Sequence, residues 1–206
     1  GVKVLVVPTP DEIAASYGVP QDKRLPPDGA ELWTAFVARS APNTEPPKAS
    51  RGSMIYTSGT TGRPKGAVHP HGGFPLKAAQ DLSHQFDLRP GDRLFWFTDL
   101  GWMMGPWAIA GSLLLGASLV IYEGAPDHPG PDRLWSIAAR HGVTHLGLSP
   151  TVVRALLGHG TDPVRAHDLR ALRVLGSTGE PWNVDPWWWC FREVGGGRIP
   201  LINYSG

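Results

Sequence analysis

Apolar and polar residues change places in short blocks along this chain, and from residue 93 onward the blocks alternate between two periods. Short β-compatible runs at Arg93 to Phe97, Ser118 to Tyr122, Val143 to Leu146, Leu172 to Leu175 and Ile199 to Asn203 read as strands. Pro106 to Leu115, Asp132 to His141, Thr151 to Leu157 and Pro186 to Val194, lying between them, read as helices. Upstream, Met54 to Thr57 reads as a strand followed by a helix over Gly72 to Phe86. Strand then helix, repeated, is the rhythm of parallel βα units and predicts an α/β fold with a mostly parallel sheet. A strand-like run, Val2 to Val7, opens the sequence with no earlier element to pair with. Residues 40–52, "SAPNTEPPKASRG", are rich in proline, serine and charge and read as a surface connection.

Two helices carry end signals. Asp132 is expected to cap a helix whose apolar face is Leu134, Ile137, Ala138 and His141, with Gly142 as its left-handed stop. Asp185 is expected to cap a second, with Pro186 at its first position and Gly195 to Gly197 ending it. Trp187, Trp188 and Trp189 point in three directions on that helix, so at least one is expected to be largely exposed, and the cluster reads as packing.

Composition narrows the function classes. With 206 residues and 41% hydrophobic content the chain can bury one sizeable core or one and part of a second. A net charge of +1 with scattered basic residues argues against a nucleic-acid partner. The single cysteine, Cys190, forms no internal disulfide, which fits a reducing, cytoplasmic setting. No apolar run reaches the roughly 18 residues a bilayer requires. The longest, Trp107 to Leu115, is interrupted by Gly111, and the first residues do not resemble a signal peptide, so no membrane role is expected. His69 and His71 flank Pro70, but no further Cys or His stands at ligand spacing, and no metal site is predicted there.

The richest candidate chemistry is "IYTSGTTGRPKG", residues 55–66. Phosphate binding needs converging backbone N–H groups, and glycine permits the positive φ that lets them converge. Gly59, Gly62 and Gly66 supply that freedom, while Thr57, Ser58, Thr60 and Thr61 add hydroxyl donors and Lys65 a cation. Pro64 keeps Arg63 out of the helical region. Lys65 is followed by Gly66 rather than Ser or Thr, which departs from the P-loop of nucleotide triphosphatases, and no G-x-G-x-x-G occurs. A solvated Gly/Ser linker is the competing reading. Position favours the phosphate reading, because the loop is expected to leave a strand of a βα unit, where ligand sites gather.

At this point the chain resembles the AMP-forming adenylate enzymes, a superfamily of acyl-CoA synthetases, luciferases and peptide-synthetase adenylation domains. "YTSGTTGRPKG" is similar to the family's phosphate loop. "HPHGGF", "DLGWMMG", "YEGAPDHPGPDRLW", "LSPTVVRALL", "LRVLGSTGEPWN" and "NYSG" follow in the order and spacing of the acetyl- and propionyl-CoA synthetase branch. The resemblance covers essentially residues 1–206, and implies the central part of the large N-terminal domain: 1–52 ending a preceding subdomain and its connection, 53–206 holding the phosphate loop and βα units. It further implies a ligase that turns a short-chain carboxylic acid, ATP and CoA into an acyl thioester through an acyl-adenylate.

The resemblance also implies roles. Thr57, Ser58, Gly59, Thr60, Thr61, Gly62 and Lys65 would hold the β- and γ-phosphates, with Thr57, Lys65 and Trp102 nearest the chemistry. Gly179, Glu180 and Pro181 would form the adenine side, with Asn203, Tyr204 and Ser205 also on the nucleotide. Ser149 and Pro150 would line the CoA channel. Met103, Met104, Thr178 and Gly206 would line the acyl pocket, whose wall beside the reacting carboxylate is Trp102; without the resemblance, Trp102 and Glu180 read equally as a core residue and a surface turn. Relatives carry aromatics where this chain has Ser205 and Gly206, so an acid longer or bulkier than acetate is expected. The family's Mg²⁺-binding glutamate, ribose-binding aspartate and C-terminal domain with its catalytic lysine are expected beyond residue 206. The fragment alone is therefore expected to be inactive and prone to self-association. Two other readings stay open: an amino-acid or aryl-acid adenylation domain, and a nucleotide-binding module that senses without turnover.

Overall fold

Alternation within the strands from Arg93 onward builds a sheet buried on both faces. The computed structural model describes residues 66–204 throughout, the backbone of segments 4–6, 30–32 and 53–56, and a few isolated residues before them. The chain divides into two compact units, Gly1–Ala49 and Ser50–Gly206.

In the first unit, β1 (Val4–Val6) pairs in parallel with β2 (Ala30–Leu32), Val4 opposite Ala30. The opening run thus finds its partner downstream. In the second unit, β3 (Ser53–Tyr56) pairs antiparallel with β4 (Gly66–His69), Ser53 opposite His69 and Tyr56 opposite Gly66. This corrects the expected strand-to-helix passage: residues 57–65 join two strands of a hairpin. The return strand is short and begins at a glycine, too brief to show a period of its own. The helix follows only afterwards, as α1 (Phe74–Gln80), which runs into a π-helical turn at Asp81–Gln85.

The main sheet contains β5 (Arg93–Trp96), β6 (Ser118–Val120), β7 (His145–Gly147), β8 (Val174–Ser177) and β9 (Leu201–Asn203). All neighbours are parallel, in the order β6-β5-β7-β8-β9. The crossovers contain α2 (Met104–Leu114), α3 (Arg133–Arg140), α4 (Pro150–Leu157) with the short α5 (Asp162–Arg165), and α6 (Val184–Trp189) continuing as a π turn through Cys190–Val194. Counted from β5 the strand order is 2-1-3-4-5. The chain leaves β5 toward one edge and returns on its other side at β7, a topological switch point.

Each face has its own core. Phe95, Leu146, Leu148 and Leu175 pack with Leu134, Trp135, Val153, Leu156, Cys190 and Val194 from α3, α4 and α6. On the opposite face Leu94, Trp96 and Val174 pack with Leu82, Phe86, Met104, Trp107, Ala108 and Tyr204. Period-2 alternation with both sides apolar is what a parallel sheet covered by helices demands. Gly147 and Gly176 are register partners on β7 and β8. A Cβ on Gly147 would stand 2.1 Å from Cδ2 of Trp96, and one on Gly176 2.7 Å from Cζ3 of the same ring. The indole therefore lies across two strands that carry no side chain at that level.

The helix ends differ from expectation in detail. Asp132 does not cap α3 with its side chain; its Oδ2 instead accepts from Nε2 of His167 at 2.8 Å. Gly142, at φ +55°, follows α3 as expected. Asn183, not Asp185, is the residue before α6, and Asp185 lies in the first turn. Trp188 is 42% exposed, while Trp187 and Trp189 are half-buried. Among the described residues no helix is long and apolar enough to cross a membrane.

Candidate active site at the switch point

The carboxyl ends of β5, β7 and β8 open onto a common cavity of about 410 Å³, lined by residues from Trp96 to Asp99, Trp102 to Met104, Ser149, Val152, Thr178 and Gly179. After β5 the chain makes a tight turn: Asp99 Oδ1 accepts from the Gly101 N–H at 2.6 Å, and the Asp99 carbonyl from the Trp102 N–H at 3.1 Å. The turn leaves Trp102 65% exposed at the mouth, with Met103 half-buried and Met104 buried at the start of α2. After β7, Ser149 is extended and its Oγ accepts from the Val152 N–H at 3.3 Å, capping α4 with Pro150 at the first position. After β8, Thr178 is half-buried and Gly179 takes φ +98°, a backbone state in which a side chain would be strained even though the space is open.

Six of the predicted residues, Trp102, Met103, Met104, Ser149, Thr178 and Gly179, therefore meet around one cavity although they come from three crossovers. Glu180 stands just outside the lining. Its Oε1 accepts from the Thr151 N–H at 2.9 Å and its Oε2 from Nη2 of Arg154 at 2.5 Å. The Thr151 and Arg154 hydrogen bonds hold its carboxyl below the usual range, against a small opposing effect of burial. Pro181 and Asn203 are exposed.

Tyr204 lies in the core rather than on the cavity. Its hydroxyl donates to Oδ2 of Asp81 at 2.7 Å, and the same oxygen accepts from Nε1 of Trp107 at 3.4 Å. Burial and the Asp81 carboxylate push the phenol up to about 12. Burial raises the Asp81 carboxyl, but hydrogen bonds from Lys77, Tyr204 and Trp107 outweigh it and leave the group below its ordinary range.

Thr57, Ser58, Gly59, Thr60, Thr61, Gly62, Lys65, Ser205 and Gly206 lie outside the described residues. His69 sets its ring edge-on to Phe74 at 5.1 Å. Among the described residues no group of three or more His, Cys, Asp or Glu side chains is placed to hold a metal ion.

Trp96, Phe97, Thr98, Asp99 and Val152 line the cavity without having been singled out from the sequence. Trp96 ends β5 and the next three residues follow it directly, at the carboxyl end of a parallel strand where ligand sites gather. A neighbouring cavity of about 410 Å³ shares Phe97, Thr98 and Asp99 and is closed by Ile121 to Gly124 beyond β6. A cleft of about 280 Å³ at the opposite, amino ends of β8 and β9 carries Arg165 paired with Glu193 and Arg170 paired with Asp168. Arg198 also lines it, and none of the predicted residues faces it.

A doubly wound parallel sheet with a ligand-sized cavity at its switch point defines the class as an α/β binding domain of the kind that hosts nucleotide chemistry. The family is AMP-binding enzyme, whose model matches residues 3–206, and the chain belongs to it. Within that family it stands in the acetyl-CoA-synthetase-like branch. The acetyl-coenzyme A synthetase of Gemmatimonas aurantiaca is 42% identical over 182 residues, 85% of this chain and 28% of that protein. The acetyl-coenzyme A synthetase of Pyrobaculum aerophilum is 44% identical over 174 residues, 81% of this chain and 26% of that protein. Among solved structures, acetoacetyl-CoA synthetase from Streptomyces lividans matches with a TM-score of 0.76 at 36% identity, over 91% of this chain and 29% of that one. The chain thus spans under a third of the length of the relatives it matches.

Proposed function

We propose that the protein carrying this chain is an AMP-forming acyl-CoA synthetase for a short-chain carboxylic acid longer or bulkier than acetate, with ATP and CoA as co-substrates. The supporting observation is the convergence on one cavity of three separate segments: Trp102 to Met104 for the acid, Ser149 for the thiol, Thr178 and Gly179 for acid and nucleotide. In the first half-reaction a carboxylate oxygen attacks the α-phosphorus of magnesium-complexed ATP, forming the acyl-adenylate and expelling pyrophosphate. In the second the CoA sulfur attacks the acyl carbon, AMP departs, and the thiol proton is released.

The protein's work is placement and charge stabilisation. Trp102, Met103 and Met104 offer a deformable apolar wall that takes up an alkyl tail and aligns its carboxylate. Thr57, Ser58, Thr60 and Thr61, with the glycine N–H groups and Lys65, suit the charge that grows on the departing pyrophosphate. Ser149, which caps α4 and lines the cavity, would border the path of the thiol chain.

Acid-dependent exchange of labelled pyrophosphate into ATP by the full-length protein tests the first half-reaction, and mass detection of the thioester the second. The expected outcome is a higher kcat/KM for propionate or butyrate than for acetate, graded because each methylene is worth only about 1–3 kcal/mol. Gly206→Trp is expected to move the preference back toward acetate. Absence of exchange with every short-chain acid overturns the reading. Highest kcat/KM for acetate, with an unchanged order in Gly206→Trp, overturns the part about acid length.

A further inference from the structure

We propose that Arg154 is a positioning residue for the adenylation site: from the first turns of α4 it clasps the loop that follows β8, and so fixes the nucleotide-side wall against the thiol-side turn. The inference rests on the reading of this cavity as an adenylation site. Arg154 is not a cavity residue, and nothing in its local sequence marks it.

The guanidinium is shared among three acceptors. Nη2 reaches Oε2 of Glu180 and Oγ1 of Thr151, both at 2.5 Å, while Nη1 reaches Oδ1 of Asn183 at 3.2 Å. Glu180 completes the clasp by accepting the otherwise free Thr151 N–H at the start of α4. One planar, multidentate cation therefore holds both ends of residues 180–183 to a single helix, a task that suits arginine and not lysine.

Little else restrains the wall. Gly179 and Pro181 are exposed, and a Cβ at 179 would meet nothing within 4 Å. Trp182 packs against the core, so the loop's root stays attached without the clasp while its cavity-facing part does not. Both oxygens of Glu180 are engaged by α4, which leaves the backbone of residues 179–181 to meet a nucleotide. Because Ser149 caps the same helix, movement of the clasp displaces two walls of the cavity relative to each other.

The test compares wild type, Arg154→Ala, Arg154→Lys, Glu180→Gln and the Ala/Gln double variant in the full-length protein. Arg154→Ala is expected to raise the KM for ATP in pyrophosphate exchange roughly tenfold, with kcat and Tm changed far less. Arg154→Lys is expected to recover part of this, since it keeps the charge and loses the second arm. The double variant is expected to be no worse than the worse single one, the signature of two residues acting as a unit. Amide hydrogen exchange across residues 179–183 needs no turnover, and is expected to quicken roughly tenfold in Arg154→Ala while the strands stay protected. Wild-type turnover tests the adenylation reading; the ratio between variant and wild type, and the amide exchange, test the clasp. An unchanged KM for ATP, a loss that follows Tm, additive single effects or unaltered amide exchange each overturns it.

Discussion

His145 is 1% exposed inside the sheet, yet its ring is satisfied in the neutral state: Nε2 donates to the Phe86 carbonyl at 2.9 Å and Nδ1 accepts from the Thr144 hydroxyl at 2.8 Å. Burial pushes its pKa below the ordinary 6.5, with the Phe86 carbonyl and Asp92 opposing and Arg173 adding to the fall. A histidine lowered in the folded state binds fewer protons there than in the unfolded chain, so stability falls as pH drops below about 6.5 and is flat above it. Urea midpoints measured against pH are expected to show that slope in the wild type, and to lose it in His145→Gln. The contributions of Asp81 and Asp87, both lowered from 3.8, belong to more acidic solution and are expected to survive the substitution. Lys65 tests the proposed function instead. Lys65→Ala or Gly59→Val is expected to slow adenylation by roughly tenfold to a thousandfold, the range for losing one preorganised contact to developing charge, with circular dichroism unchanged. Full exchange activity in both variants would return residues 57–65 to the linker reading.

Among elements, β7 and β8 are the most exacting, because their paired glycines make room for the Trp96 indole. Gly147→Val places its Cβ inside that ring and is expected to cost about 1–3 kcal/mol or more, read as a lower urea midpoint. Trp96→Leu on the same background is expected to recover part of the loss. The main-sheet strands were legible in the sequence because each is a short apolar run between turn residues, fully buried in β7 and β8 and partly so at the edges in β6 and β9. Their ends were not: the predicted runs pass the ends of β5 and β6, to Phe97 and Tyr122, aromatic residues past the last ladder pair, and stop short of those of β7 and β8, at Leu146 and Leu175, where Gly147, Gly176 and Ser177 interrupt the apolar run. The β3–β4 pairing escaped notice for a different reason: nine residues of sequence, 57–65, separate its two strands, whereas two-residue turns give the strongest hairpin signal. Asp132 was misjudged because a helix cap and the acceptor of a distant hydrogen bond look alike in sequence, and His167 lies far along the chain.

For the whole molecule, period and turn chemistry gave the class of fold, and strand order needed the structure. The site was legible chiefly through the resemblance of its segments. Trp102, Ser149 and Thr178 have nothing in composition or spacing to unite them, and meet only because the chain reverses its winding between β5 and β7. Arg154 escaped the same way, because Glu180, the partner that the resemblance did single out, lies on a different crossover. The reversal has an evolutionary consequence. Each wall of the cavity belongs to a different loop on one shared frame, so a change in the stretch after β5 reshapes one wall and leaves the loops after β7 and β8 in place. Such a scaffold lets selection reshape one wall of the cavity in small steps while the other walls are inherited intact.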